Sequence, residues 1–221
     1  MKKALVVWGG WDGHQPEKIA RLCEDWLTAQ GFSVEVSDSL STFSEKGEGL
    51  KELDLIVPCW TMGKIEQEQL KPLTDAVESG VGLGGCHGGM GDSFRDATEY
   101  QFMVGGQWVS HPGNDGVTYT VNIRDHSHAI TGSLPDFELT SEQYYMHVDP
   151  AVKVLATTQF PTAPGPHTTN GPVDMPVVWT KRYGQGKIFF CSLGHRPEDI
   201  ASGPAAEIMK RGLAWAAKDA G

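Results

Sequence analysis

The chain has 221 residues, 39% of them hydrophobic, which is enough for a well-buried core and falls between one ordinary domain and two small ones; one domain over 1–221 is expected. Its 18 Lys and Arg stand against 28 Asp and Glu, a formal charge of -10, and the basic residues form no cluster, which argues against nucleic acid or anionic lipid as a partner. No run approaches the roughly 18 apolar residues of a membrane span. With no close pair among Cys23, Cys59, Cys86 and Cys191, a soluble protein of the reducing cytoplasm is the expectation.

Two lysines precede a short apolar run that stops at Gly9 without a small-residue cleavage site, so the N-terminus reads as a first strand and not a signal peptide. Pro16 then opens a segment with Ile19, Leu22, Cys23, Trp26 and Leu27 at helical spacing. A strand over 32–36, a buried strand over 53–59, a helix over 66–77 and another buried strand over 81–86 follow. Strands alternating with helices predict parallel pairing, with ligand sites at the carboxyl ends of the strands. The loops at those ends carry Trp11-Asp12-Gly13-His14, Trp60-Thr61-Met62-Gly63 and His87-Gly88-Gly89.

From Gln107 the texture changes to alternating runs over 117–123, 138–148 and 152–158, which predict a β-rich second half. Residues 161–176, rich in Pro, Gly and Thr, read as a surface loop or lid. Runs over 177–181 and 187–191 flank a Tyr-Gly-Gln-Gly hairpin turn, and Pro204 begins a last helix. Trp and Phe within 101–108 offer a surface for a homo-oligomer.

The densest signal for chemistry is Gly84-Gly85-Cys86-His87-Gly88-Gly89. Glycines around a strand-to-helix elbow let the backbone turn sharply and a substrate approach, and either Cys86 or His87 would be presented there. Strand alternation turns the two to opposite faces, so only one faces the cleft. Cys86 with His195 and Glu198 would make a thiol nucleophile, base and orienting carboxylate, but a buried cysteine serves equally as a small core residue. Gly80, Gly82 and Gly85 satisfy a GxGxxG pattern but run from helix into strand, the wrong context for a dinucleotide.

His14, His87 and His195 each follow an apolar strand beside glycine, His111 precedes Pro112, and His147 ends a strand. Strand-end positions of an α/β sheet converge at one edge, where imidazoles act as acid, base or metal ligand; singly, each is an ordinary polar residue. His126 and His128 lie in a charged turn and read as solvated. Glu142 sits beside Tyr144 and Tyr145, where a buried carboxylate needs a histidine or metal partner, unless it simply faces outward. Trp11 and Trp60 lie in the strand-end loops and could stack on a sugar ring.

Taken in order, the elbow at His87, Val104-Gly-Gly-Gln-Trp-Val-Ser-His111-Pro, Asp125-His-Ser-His128-Ala-Ile-Thr, Ser141-Glu142-Gln-Tyr144, Pro176-Val-Val-Trp-Thr, Tyr183-Gly-Gln-Gly-Lys and Leu193-Gly-His195 resemble the trehalose-utilisation (ThuA-like) family over nearly the whole chain. The resemblance implies a flavodoxin-like α/β fold similar to class I glutamine amidotransferases, and a role in bacterial carbohydrate use, including 3-keto-sugar pathways. His87 stands where those amidotransferases carry their cysteine; His111, Glu142 and His195 match recurring polar positions, and His14 an early histidine. Two departures are Cys86, where the family usually has an aliphatic residue, and Ala129, where it commonly has proline.

The resulting expectation is an enzyme acting on a keto-sugar or 3-keto-glycoside by histidine- or metal-assisted proton abstraction. His87, His195 and Glu142 are the expected catalytic residues. Trp11, His14, Trp60, His111 and Tyr144 are expected at the substrate, and His87, His111 and His195 are expected ligands of a divalent metal such as zinc. A Cys86-dependent hydrolase and a non-catalytic sugar-binding protein are the alternatives.

Overall fold

The computed structural model describes residues 1–219. The first half alternates strand and helix: β1 (Lys3–Gly10), α1 (Pro16–Ala29), β2 (Ser33–Ser37), α2 (Ser41–Lys46), β3 (Leu55–Thr61), α3 (Gln67–Glu78), β4 (Gly82–Cys86), α4 (His87–Gly91) and α5 (Thr98–Val104). The second half is mostly strand: β5 (Gly106–Ser110), β6 (Val117–Ile123), β7 (Phe137–Ser141), β8 (Tyr145–Val148), β9 (Lys153–Phe160), β10 (Val173–Tyr183) and β11 (Gly186–Cys191), closed by α6 (Pro197–Ile200) and α7 (Gly203–Ala216).

Nine strands form one sheet in the order β2-β1-β3-β4-β11-β10-β9-β6-β7. The pairs from β2 through β11 are parallel, and those from β11 through β7 are antiparallel. Thus β11 joins the two halves, while β5 and β8 pair separately as an antiparallel ribbon. The helices cover both faces. On one, Ile19, Ala20, Cys23 and Leu27 of α1 and Ile208, Met209 and Leu213 of α7 pack on Ala4, Val6, Val57 and Phe189. On the other, Leu70, Leu73 and Val77 of α3 and Met103 of α5 pack with Leu5, Val7, Ile56 and Phe190. Each buried Leu, Ile or Phe contributes about 1.5–3 kcal/mol, which is how short, glycine-rich β4 holds a central position.

Local chemistry sets the helix starts. Pro16 occupies the first turn of α1, where its missing N–H costs nothing. Glu66 and Gln69 form a reciprocal capping box at α3. At the β4 elbow His87 takes φ 48°, a left-handed conformation costly for a residue with Cβ, and the chain enters α4 directly. There Gly89 lies so close to β3 that a Cβ would sit 3.0 Å from the Cys59 Cα.

The predicted 138–148 run is two strands with different partners, since β7 pairs with β6 and β8 with β5; Glu142, Gln143 and Tyr144 are the crossing between them. The surface segment expected at 161–176 ends sooner, because β10 starts at Val173, and it contains a 3-10 turn over Pro166–Asn170. Helices α2 and α5 were not signalled by strong periodicity.

Candidate active site

Four segments meet beyond the carboxyl ends of the parallel strands. His14 ends the 3-10 turn after β1, His87 stands at the β4 elbow, His195 follows β11, and Glu142 arrives on the β7–β8 crossing. One ligand-type atom from each of these residues lies within 4.8 Å of the others. Glu142 Oε2 is the hub, 3.1 Å from His87 Nε2, 3.4 Å from His195 Nδ1 and 3.9 Å from His14 Nε2. His111 Nε2 lies 3.8 Å from the other oxygen, Oε1. The sequence-predicted histidines therefore share one place with the predicted carboxylate.

The other ring nitrogens are held from outside. His87 Nδ1 donates to the Ser192 carbonyl at 2.8 Å, and His14 Nδ1 shares a 2.9 Å hydrogen bond with Thr61 Oγ1. His195 Nε2 faces Asp115 Oδ2 at 3.8 Å, and Asp115 is in turn paired with Arg196. Below the cluster Tyr144 stacks on His87 with ring centroids 3.9 Å apart, and the Tyr119 hydroxyl donates to the Glu142 carbonyl at 3.0 Å. These contacts fix the rings before any ligand arrives.

Burial and charge divide the four groups. Burial, then the neighbouring His87, lowers His14 to about 3. Burial also depresses His87, overriding its contacts with Glu142 and Ser192. His195 moves up through its contact with Glu142, against burial. Burial alone would raise Glu142, but the contacts from His195 and His87 outweigh it and hold the carboxyl well below the usual range. The arrangement is a carboxylate facing two neutral imidazoles and one that readily carries charge.

Exposure separates interior from mouth. The His87, His14 and His195 side chains are 2%, 8% and 11% exposed, whereas His111 is 30% exposed. Trp11, 46% exposed, sets its edge on His14 at 4.7 Å between centroids and borders the mouth. Trp60 is half-buried and packs over Gly9 and Gly63, with its indole nitrogen buried, whereas Tyr144, 3% exposed, lies behind His87 and presents no open stacking face. Asp115, Arg196 and Thr61 carry no mark in the sequence. Thr61 does fall in a strand-end loop, but Asp115 sits in an ordinary Gly-Asn-Asp-Gly turn.

The Cys86, His195 and Glu198 arrangement is not assembled. Cys86 is buried within the apolar face with Cys23, Cys59 and Cys191. Burial, then Cys23 and Cys191, pushes its thiol well up, while Glu198 is exposed on α6. His126 is exposed, and His128 lies apart, accepting from the Ile130 amide and packing near Trp215. Within 101–108, Phe102 is exposed and Trp108 lies under the Arg95 guanidinium at 4.7 Å. No helix among the described residues is long and apolar enough to cross a membrane.

Solved structures share this architecture. A ThuA-like protein from Bacteroides uniformis superposes with a TM-score of 0.75 at 18% identity, covering 97% of this chain and 91% of its own. One from Parabacteroides merdae gives 0.74 at 19% identity, covering 97% and 89%. A Salmonella typhimurium LT2 protein described as cytoplasmic gives 0.68 at 14% identity, covering 98% and 100%. At these identities the likeness is one of fold. No curated protein matches. At the sequence level residues 3–216 match the family described as trehalose utilisation, a span that holds every member of the histidine–glutamate cluster, and the chain thus belongs to the ThuA family.

Proposed function

We propose that the protein is a carbohydrate-processing enzyme that removes the proton next to the carbonyl of a keto-sugar, most concretely a 3-keto-glycoside. The observation that carries this reading is the gathering of His14, His87, His195 and Glu142 around one point, with the more exposed His111 beside them. A carbonyl at C3 acidifies the C2 hydrogen. His111 is the base, since its ring is the accessible one. The C2 proton passes to its imidazole, and the C2–H electron pair forms an enolate whose oxygen is stabilised by the positive charge that the His195 ring readily carries. The enolate then re-forms the C3 carbonyl and a C1–C2 double bond as the C1–O bond breaks, and the departing oxygen takes up the proton held by His111. Trp11 supplies an apolar face for the ring.

Family membership in trehalose utilisation supports the substrate class. The parallel half, ordered β2-β1-β3-β4-β11, supports our reading of a flavodoxin-like, class I glutamine amidotransferase-like winding, in which ligands bind beyond the strand carboxyl ends. A cytoplasmic setting belongs to the same reading.

The test is exchange of the C2 hydrogen in deuterated water, followed by NMR on 3-keto-glycosides and their unoxidised parents. Exchange and elimination are expected only with the keto compounds, and His111→Ala should slow both by about 10² to 10⁴. Binding of these sugars without exchange would leave the non-catalytic alternative standing.

A further inference from the structure

We infer that His14 Nε2, His87 Nε2, His195 Nδ1 and Glu142 Oε2 are the ligands of a divalent transition-metal ion, zinc in the first instance. The inference deepens the same site, and its catalytic consequence rests on the reading above, but occupancy is measured without substrate.

The spacing fits an ion. Tetrahedral zinc with bonds of about 2.0–2.1 Å places its ligand atoms about 3.3–3.4 Å apart, and Glu142 Oε2 lies 3.1, 3.4 and 3.9 Å from the three nitrogens. The ring orientations fit as well. A His87 whose Nδ1–H donates to the Ser192 carbonyl turns the lone pair of a neutral Nε2 toward the carboxylate, and two lone pairs facing at 3.1 Å need a cation or a proton between them. His14 Nδ1 shares a hydrogen bond with Thr61, and His195 Nε2 faces Asp115 across 3.8 Å, too far for a direct hydrogen bond. Each ring thus aims one nitrogen at the centre and the other at an oxygen outside it, the usual support of metal-bound imidazole.

A third observation is independent of spacing. His195 Nδ1 is fully buried with no partner at hydrogen-bond geometry among the described residues, although it points at the cluster from 3.4 Å. Burying such an atom unpaired is unfavourable, and a metal bond removes that cost. Three imidazoles and one carboxylate, without thiolate or carbonyl, suit zinc, cobalt or iron in preference to magnesium or calcium. His111 stands outside the set because its Nε2 approaches Oε1, not Oε2. It lies on the more exposed side of Glu142, where a substrate carbonyl oxygen would have to enter as a fifth donor, an expansion zinc tolerates, and the ion would then polarise the C3 oxygen.

The experiment uses the full chain, stripped with chelator and dialysed, then titrated with zinc chloride or cobalt chloride. Expected are one equivalent bound by elemental analysis, a metal-dependent rise in Tm, and intense visible absorption from low-coordinate cobalt. Glu142→Gln and His14→Ala should lose at least 100-fold in affinity. Should either fold poorly by circular dichroism, Thr61→Val, which keeps the side-chain volume but removes the hydrogen bond to His14 Nδ1, should still lower affinity by about 10–100-fold. His111→Ala should retain one equivalent. Failure of the stripped wild type to bind either ion stoichiometrically would overturn the inference, as would undiminished binding in folded Glu142→Gln. Metal binding without C2 exchange refutes the carbohydrate reading alone; exchange that persists in the demonstrably metal-free protein refutes the ion's Lewis-acid role alone.

Discussion

Gly88→Ala tests the site without touching a ligand. Gly88 lies in α4 directly behind the first histidine, and a Cβ there would sit 2.5 Å from His14 Nδ1, 2.6 Å from its Cε1 and 3.0 Å from Thr61 Cγ2. Non-bonded atoms settle at about 3.5–4.0 Å, so the His14 ring must retreat by about 1 Å. Its hydrogen bond to Thr61 and the Trp11 edge against it leave that movement uncompensated. Metal–nitrogen bonds tolerate about 0.2 Å, so His14 is lost as a ligand and zinc affinity should fall by about 100-fold or more, as in His14→Ala, or about 2.7 kcal/mol. Overpacking costs about 1–3 kcal/mol, offset in part by about 1 kcal/mol from replacing a helical glycine. The metal-free protein should therefore lose no more than about 2 kcal/mol, while the zinc-dependent gain in stability shrinks. Chelator competition and paired thermal melts with and without zinc give both numbers. Affinity within twofold of wild type in a normally folded variant would refute the reasoning.

Cys86→Ser should fold, keep its metal and retain C2 exchange, because the thiol faces the apolar core. A stability loss of about 1–3 kcal/mol is expected from burying the hydroxyl, whereas total loss of exchange in a folded variant would restore a thiol mechanism. Asp149→Asn should destabilise the protein by about 1–3 kcal/mol in urea titration, since Lys181 Nζ, on a side chain only 6% exposed, pairs with Asp149 at 2.7 Å. The Lys181 hydrogen bond, then the Ala151 amide, lowers the Asp149 pKa. Its stabilisation is therefore complete above the unfolded carboxylate value of about 3.9 and disappears as pH falls through the depressed folded value. Asp149→Asn should flatten this acid limb, and an unchanged limb would contradict the assignment.

The elements legible in the sequence were those whose signal is local. The apolar runs of β1, β3 and β4 are continuous, those of β1 and β4 place His14 and His87 just past strand ends, and Glu142 stands out as a carboxylate among aromatics. The boundary between β7 and β8 was not legible, because alternation continues while the pairing partner changes from β6 to β5. Asp115 was equally hidden, since its role arises only when the turn after β5 approaches the segment after β11. Which face Cys86 takes was open until tertiary packing showed the elbow's left-handed His87 turned toward Glu142.

The strand that ties the sheet together is the last one made. Because β11 lies between β4 and β10, the parallel and antiparallel halves have no shared ladder until the ribosome has delivered residue 191, and His195 emerges later still. A nascent chain thus carries three quarters of the ligand set with nothing to close it. The pairings that complete it are long-range ones, the kind that form slowly. Metal capture would then act as a late latch, available to a finished chain and denied to one truncated before its final strand.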